Sequence, residues 1–383
     1  MATTLGYAEP IDAEFANDPF PSKVGGKPRW LDPTCPLEAD RIVCDECSKP
    51  MVLLMQLSAP EDDPPEAFHR MLYVFICHNG ICHKAGAKRC MRAFRSQLPE
   101  ENAVYVEDNI DGEDEDDIEW VMAEGVVRAP VCVVCGLLGN KACSKCHKRR
   151  YCSRSHQIAD WDAGHKAQCC GDNQIKPEST QHLRKLQRMI YPEHVIVSEE
   201  EPECGDSDDE DDDGEDTENI NPESQAIVPV TKERVEDSEV EVDPAFMKFQ
   251  KRIQKNPDQV LRYARIPDSD ETAKPLFVSD SDQPQAKDIS NCANCGATRE
   301  FEFQIMPQMI NYLSIDSVDP NSIDWGTLLV YTCSRNCSNS STRYIEEVIC
   351  RQQFSSHGIG QKYMRAYHGD ETAFTKQFDS LDI

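Results

Sequence analysis

The pattern of apolar and polar positions predicts two groups of β-strands separated by a long polar stretch. Met51–Leu57 is an apolar run of strand length, and Phe68–Cys77 is a second run rich in aromatic residues. Similar strands are predicted at Val260–Ala264, 301–307 and 328–332. The sequence therefore predicts a β-rich protein of the α+β class.

Two short helices are predicted beside these strands. Residues 181–190 are predicted to form one of them. An Asp-Pro pair at 243–244 is a helix start, and Phe246, Phe249 and Ile253 follow on one helix face. This second helix marks the beginning of the later strand group.

Both strand groups show the same order of features. Each opens with a hook, a Cys-x2-Cys pair, continues with two strands, and ends in another cysteine pair directly after the second strand. The eight cysteines are Cys44, Cys47, Cys77, Cys82, Cys292, Cys295, Cys333 and Cys337. The repeated order indicates a diverged internal duplication of one β unit.

Charge is concentrated in two acidic runs. The formal net charge is −29, and residues 106–119 and 199–218 hold nine and fourteen Asp/Glu with no Lys or Arg. An acidic chain repels phosphates, so direct DNA binding is not expected and a basic protein partner fits better. The acidic runs are interpreted either as solubilising linkers or as mimics of phosphate. Ser207, in its SDDED context, resembles an acid-directed kinase site.

Nineteen cysteines suggest either disulfides or metal sites. Residues 1–10 have neither a charged nor an apolar signal region, so we expect no secretion and read paired cysteines as metal ligands. The longest apolar stretch, about Met71–Cys77, is too short to span a bilayer, so no membrane partner is expected. We expect a monomer in the cytoplasm and nucleus.

The densest metal-ligand spacing lies between Cys132 and Cys169, here called the central block. Two hooks are followed by a Cys/His pair and a His/Cys pair, which suits two closed, tetrahedral Zn²⁺ sites. In an interleaved arrangement one ion takes Cys132, Cys135, Cys152 and His156, and the other takes Cys143, Cys146, His165 and Cys169. A single helix over 153–168 is predicted to carry both histidines.

The flanking cysteines are open to two interpretations. The quartets Cys44/Cys47/Cys77/Cys82 and Cys292/Cys295/Cys333/Cys337 resemble zinc-ribbon pairs, which would add up to two more Zn²⁺, or they are ordinary buried thiols. His83 and Cys90 compete as ligands in the first quartet. The other cysteines, Cys35, Cys170, Cys204 and Cys350, are predicted not to bind metal.

Enzymatic motifs are absent from the sequence. There is no P-loop, no GxGxxG before a helix, no HExxH and no GxSxG. The predicted metal sites are fully coordinated, which leaves no open position for catalysis, and we expect a protein that is not an enzyme. The basic triplet Lys148–Arg150 is either a nucleic-acid patch or, more simply, a solvated face.

The central block resembles a MYND zinc finger, with His156 where most such fingers have cysteine. Two hooks, the one at Cys44 and Cys292-x2-Cys295-Gly296, resemble those of the programmed cell death protein 2 family, and so do the segments 24–31, 67–70, 94–99, 246–252, 257–263, 301–308 and 324–327. The resemblance implies a dedicated chaperone for one basic small-subunit ribosomal protein, S-two of the universal S-five type, captured while nascent. It also implies a role in 40S biogenesis and 20S pre-rRNA maturation, without catalysis.

Two other functions are weighed against this one. A MYND finger alone also occurs in nuclear adaptors that recruit transcriptional corepressors, often by docking proline-containing peptides. A SET–MYND methyltransferase would need an NHxC-type cofactor segment, which the sequence lacks.

We expect a discontinuous β-rich domain made of both halves, with the finger inserted as a satellite. The expected segments are a mobile N-terminus 1–23, an N-terminal β half 24–105, an acidic connector 106–129, the MYND finger 130–170, an acidic disordered linker 171–242, a C-terminal β half 243–352 and a tail 353–383.

Overall fold

Ten strands close into one antiparallel barrel in the computed structural model. The structure describes residues 3–12, 15, 17–108, 119–169, 179–202, 243–265, 273–315, 319, 321–339 and 342–354. The strands are β1 Thr4–Glu9, β2 Lys23–Val24, β3 Val52–Ser58, β4 His69–Ile76, β5 Met91–Leu98, β6 Tyr105–Asp108, β7 Glu119–Met122, β8 Lys141–Ala142, β9 Arg150–Tyr151, β10 His194–Glu200, β11 Gln259–Tyr263, β12 Arg299–Ile305, β13 Thr327–Cys333 and β14 Ile345–Gln352.

The helices are few and short. The α-helices are α1 Ala87–Cys90, α2 Arg154–Asp160, α3 Lys166–Gln168, α4 Thr180–Gln187 and α5 Pro244–Ile253. Short 3₁₀ turns lie at Ala39–Ile42, Pro65–Ala67, Gly80–Ala85, Ala286–Asp288 and Pro307–Tyr312. The predicted fold class, a β-rich α+β protein, is confirmed.

The strand order around the barrel is β1-β10-β2-β3-β4-β5-β14-β13-β12-β11, and β11 closes against β1. β2–β5 form one meander and β11–β14 the other. The two meanders meet directly where β5 pairs with β14, and on the other side they are joined through β10 and β1. The two halves therefore form one body instead of two domains.

The two halves share a local irregularity as well as an order of features. The β3–β4 ladder shifts register between Leu53 and Met55, and the β12–β13 ladder shifts between Phe301 and Phe303. Both shifts begin six residues after the second cysteine of a hook. A β-bulge at the same place in each half fits the predicted duplication.

A buried ion pair connects the halves inside the barrel. Arg70 on β4 donates two hydrogen bonds to the Glu302 carboxylate on β12, at 2.6 and 2.7 Å, and both side chains are fully buried. Thr332 and Tyr263 also donate to Glu302. Burial alone would raise the pKa of Glu302, but the Arg70 guanidinium overrides it and holds that pKa at about 2.

The prediction of a mobile N-terminus over 1–23 is wrong for its first part. Thr4–Glu9 is the barrel strand β1, paired with β10 and β11. Leu5 and Ala8 are buried, and Gly6 lies so close to Leu261 that an added Cβ would stand 2.9 Å from it. A strand of six residues is too short for a clear pattern of apolar and polar positions in the sequence. It is buried because β10 and β11, which are distant in sequence, pair with it.

The prediction of a disordered linker over 171–242 is also wrong in part. Residues 180–187 form helix α4, as the sequence predicts, and His194–Glu200 is the barrel strand β10. Glu201 is buried between Arg252 and Arg262, with bidentate contacts of 2.7–2.8 Å. Part of the acidic run 199–218 therefore belongs to the fold.

The central block is inserted as predicted, but it is no satellite. Val134 and Leu137 belong to the same hydrophobic cluster as the barrel interior. The Trp30 indole donates to the Gly136 carbonyl at 2.8 Å, and Lys27 donates to the Val133 carbonyl at 2.6 Å. The block packs on the segment that precedes β3.

Other predictions fall outside the described residues. They concern most of both acidic runs, the kinase motif at Ser207, Cys170, Cys204 and the tail beyond residue 354. The helix prediction at 243–253 is confirmed, since Phe246, Phe249 and Ile253 are buried on one face of α5.

Candidate metal centres

Both hooks of the central block adopt the same tight turn. Gly136 and His147 follow their hooks with φ of 77° and 55°. Their backbone N–H groups donate to the carbonyls of Cys132 and Cys143 at 2.9 and 2.8 Å. This left-handed residue reverses the chain, so both thiols of a hook come near one point.

The first quartet gathers ligands from a hook and a helix. Cys132, Cys135, Cys152 and His156 place their ligand atoms within 4.8 Å of one another. The Cys135 and Cys152 sulfurs are 3.5 Å apart, and the His156 Nδ1 is 3.2 Å from the Cys152 sulfur. Ser153 caps helix α2 by accepting from the His156 N–H at 3.2 Å, which fixes where the helix presents the imidazole.

The second quartet lies at the end of the block. Cys143, Cys146, His165 and Cys169 also fall within 4.8 Å. The Cys143 and Cys169 sulfurs are 3.8 Å apart, and His165 Nε2 is 3.5 Å from the Cys146 sulfur. The structure thus brings the ligands together in the interleaved grouping that the spacing predicts.

The helix that carries both histidines is broken. A π turn at Trp161–His165 separates α2 from α3, with the kink at Gly164, so the prediction of a single helix over 153–168 is wrong. A Cβ on Gly164 would lie 3.0 Å from the His182 ring. The kink, where glycine has no side chain, lets helix α4 pack against the block. Trp161 is half-buried against His165.

The donor sets suit zinc. Four ligands on a tetrahedron with Zn–S bonds of about 2.3 Å have sulfurs about 3.8 Å apart. The sulfur–sulfur distances of 3.5 and 3.8 Å within the two quartets agree with that arrangement. A bound Zn²⁺ would link the hooks to α2 and α3. Because this block is too small to fold on a hydrophobic core of its own, the metal would supply much of its folding free energy.

A buried carboxylate, which the sequence did not single out, joins the block to helix α4. Asp160 accepts from the Tyr151 hydroxyl at 2.7 Å, contacts His182 Nε2 at 2.7 Å and pairs with Arg149 at 3.3 Å. His182 also contacts Gln168 at 3.0 Å. This network attaches helix α4 to the block, and only the folded chain brings its members together.

The flanking cysteines also form two clusters. Cys44/Cys47/Cys77/Cys82 and Cys292/Cys295/Cys333/Cys337 each place four sulfurs within 4.8 Å. The competing ligands stay outside the first quartet. His83 contacts the Cys77 carbonyl at 2.7 Å, and the Cys90 thiol donates to the Gly86 carbonyl at 3.4 Å. Cys35 and Cys350 lie outside all four described clusters.

The basic triplet and the β6–β7 hairpin both expose charged side chains. In the basic triplet, Arg149 pairs with Asp160, while Lys148 and Arg150 are exposed. β6 and β7 form a separate hairpin at the ends of the acidic run 106–119, with Glu107 and Asp108 exposed. Among the described residues, no helix is long and apolar enough to cross a membrane.

Family models match three parts of the chain. They are the programmed cell death protein 2 N-terminal domain over residues 2–112, the MYND finger over 132–169, and the programmed cell death protein 2 C-terminal putative domain over 243–353. The central block is therefore a MYND zinc finger, called the finger below. No solved structure matches the chain.

Relatives align along most of the chain. "Programmed cell death protein 2" from Rattus norvegicus is 36% identical over 353 residues, 92% of this chain and 96% of that protein. "Programmed cell death protein 2-like" from Homo sapiens is 28% identical over 82% of this chain and 85% of its own length. "Probable 20S rRNA accumulation protein 4" from Schizosaccharomyces pombe is 25% identical over 87% of this chain and 92% of its own length.

Proposed function

This chain belongs to the programmed cell death protein 2 family, and on that premise we propose that it is a non-enzymatic assembly factor of the small ribosomal subunit. The observation that carries the proposal is the alignment, over 87% of the chain, with a relative named for 20S rRNA accumulation. The expected client is one basic small-subunit ribosomal protein of the S-two, universal S-five, type. The chain captures it while nascent and releases it into the pre-40S particle.

Electrostatics supports a basic client. A ribosomal protein without its RNA exposes a positive surface, and clustered carboxylates attract such a surface over roughly 10 Å at physiological salt. Nine acids lie in 106–119, and eleven remain in 203–218 once Glu199, Glu200 and Glu201 are assigned to the barrel end. The barrel supplies the specific contact, and the acidic runs speed capture and add salt-sensitive affinity.

The finger contributes structure in this proposal. It holds two Zn²⁺ through its eight Cys/His ligands and packs on the barrel, while the client contacts the β halves. The protein acts as a monomer in the cytoplasm, where the client is synthesised, and in the nucleus, where the subunit is assembled.

Affinity capture of the tagged full chain from cells, with brief RNase treatment, tests the function. The expected result is stoichiometric enrichment of one basic small-subunit ribosomal protein, together with 20S pre-rRNA accumulation when the chain is depleted. Recovery of histone deacetylase complexes without any ribosomal protein would instead establish the corepressor adaptor and refute the chaperone.

A charge-neutralised variant tests the part assigned to the acidic run. Every Asp and Glu in 203–218 is changed to Asn or Gln, which leaves Glu201 and the barrel intact. Client affinity should fall about tenfold at low salt and much less at high salt, because surface charge attraction is screened. Equal affinity and an equal salt slope in variant and wild type would show that this run takes no part.

A further inference from the structure

The hooks of the two flanking quartets have the same turn as the finger hooks. Ser48 and Gly296 follow them with φ of 56° and 75°. Their N–H groups donate to the carbonyls of Cys44 and Cys292, both at 2.8 Å. A serine rarely adopts this left-handed conformation, which is unfavourable for residues with a Cβ. The turn that presents two thiols to one ion in the finger is therefore present in both flanks.

The sulfurs of the flanking quartets are spaced like those of the finger. The Cys47 and Cys77 sulfurs are 3.6 Å apart in the first quartet. Three sulfur pairs in the second quartet are 3.5–3.7 Å apart. Zinc in a tetrahedral thiolate site sets sulfurs about 3.8 Å apart. Three of the four cysteines in the first quartet are buried, as the ligands of a closed structural metal site are.

Hydrogen-bond donors face these sulfurs. The Asn79 N–H points at the Cys77 sulfur at 3.4 Å, and the Asn294 side-chain amide points at the Cys337 sulfur at 3.2 Å. Arg95 Nη2 lies 3.8 Å from the Cys337 sulfur. Hydrogen bonds of this kind surround the ligand atoms of metal sites and fix their orientation.

The second quartet lies against the last strand of the other half. Arg95 and Gln97 on β5 donate to the carbonyls of Cys337 and Asn336 at 2.9 and 3.1 Å. Arg95 also pairs with the buried Glu347 on β14 at 2.8 Å. The loop that would be fixed by metal at Cys333 and Cys337 therefore holds one end of the β5–β14 pairing.

The first quartet makes the reciprocal contact. In the loop after Cys77, the His83 carbonyl accepts from Arg351 on β14 at 2.7 Å. Lys84 in the same loop donates to Asn321 at 2.8 Å. The pairing of β5 with β14, here called the seam, spans only three register pairs, 93–347, 94–346 and 95–345. Each end of this short seam is thus held by a cysteine loop from the opposite half.

We propose that each flanking quartet binds one structural Zn²⁺, and that the two ions hold the loops that close the seam. With two ions in the finger, the chain then carries four, one for each cluster of ligands. The flanking sites are all-thiolate, whereas each finger site has one imidazole. Metal would then stabilise the seam of the barrel as well as the finger.

Metal counting on the native full-length protein tests the proposal without any substitution. Zinc per chain is measured by elemental analysis and native mass spectrometry, and alkylation of the native protein reports which thiols are protected. We expect four ions and protection of the fourteen cysteines in the four clusters, with exposed Cys35 as the reactive reference. Two ions would overturn the proposal, and three would overturn it for the quartet whose cysteines are the more reactive.

Cobalt identifies the ligand type of each site. Co²⁺ exchanged into the protein should give the visible bands of all-thiolate sites as well as those of three-thiolate, one-imidazole sites. Spectra of the second type alone would show that only the finger binds metal.

Matched serine variants test the link to the seam. Cys47→Ser and Cys295→Ser should each lose one zinc and speed amide exchange in residues 345–352 about tenfold, because the seam opens locally more often. Cys350→Ser, on β14 but outside every quartet, is the control and should keep all four ions. Loss of zinc with unchanged exchange at 345–352 would refute the seam role, and unchanged zinc would refute the sites.

Discussion

At the scale of single residues, the barrel interior contains a buried ionised pair, Arg70 and Glu302, with one member from each half. Glu302 has its charge compensated by Arg70 from the other half, and Arg265 lies 3.6 Å from the same carboxylate. Removing one member of a buried pair leaves a charge without its partner, which costs more than the pair itself contributes.

Arg70→Met is therefore expected to destabilise the protein by about 3 kcal/mol, the lower end for a broken buried pair because Arg265 remains. The double variant Arg70→Met with Glu302→Met should recover much of that loss, because both charges of the pair are removed and Arg265 keeps Glu61 as its partner at 2.8 Å. Denaturant unfolding of the four proteins at neutral pH measures both effects. A double variant as unstable as the single one would show that the pair's hydrogen-bond network, and not its charge, matters.

Acid should weaken the same pair. The pKa of Glu302 is lowered to about 2 from its ordinary 4.5, so its contribution is complete above pH 4.5 and is lost as pH falls through that value toward 2. The stability difference between wild type and Glu302→Gln should shrink between pH 6 and pH 3. Comparing the two proteins cancels the shared effect of acid on the cysteine sites. A constant difference would show that Glu302 is not ionised in the fold.

At the scale of elements, helix α4 is held to the finger by polar contacts as well as by packing. His182 reaches the buried Asp160 across the kink at Gly164, and Leu186 is buried on the same helix. Both side chains are fully buried, so removing one partner leaves the other without its hydrogen bond at the full cost of desolvation.

His182→Ala should release α4 and accelerate amide exchange in 180–187, while the zinc content stays unchanged because His182 is not a ligand. Leu183→Ala, on the exposed side of the same helix, is the control and should exchange as wild type does. If zinc is lost along with protection, the helix supports the second metal site directly.

At the scale of the whole molecule, the barrel is one cooperative body assembled from distant parts of the chain. β1 and β10 lie between the two meanders, and the seam closes the opposite side. In sequence, β10 and α5 are separated by residues 203–242, which lie outside the described residues.

A protease site placed within 203–242 should therefore cut the chain without separating it. The fragments are expected to co-elute in size-exclusion chromatography and to melt in one transition, because they share the interior around Arg70 and Glu302. Fragment 1–202 made alone should aggregate, since it would expose unpaired strand edges at β5 and β1. Independent folding of that fragment would show two domains.

The sequence by itself determined what depends on local spacing. Ligands a few residues apart identified the finger, and apolar runs identified β3, β4, α5 and the strands of the second half. The repeated hooks indicated two related halves. These signals are short in sequence because a hook, a cap or a strand face is built from neighbouring residues.

Only the tertiary structure decided which distant segments complete the barrel and the sites. β1 and β10 look like terminal and linker sequence, and they become strands because neighbouring edges offer them hydrogen bonds. The partner of Arg70 lies 232 residues away, and Asp160 meets His182 only across a kinked helix. Such contacts leave no periodic trace in the sequence, because their energy comes from burial and charge compensation between chain segments that folding brings together.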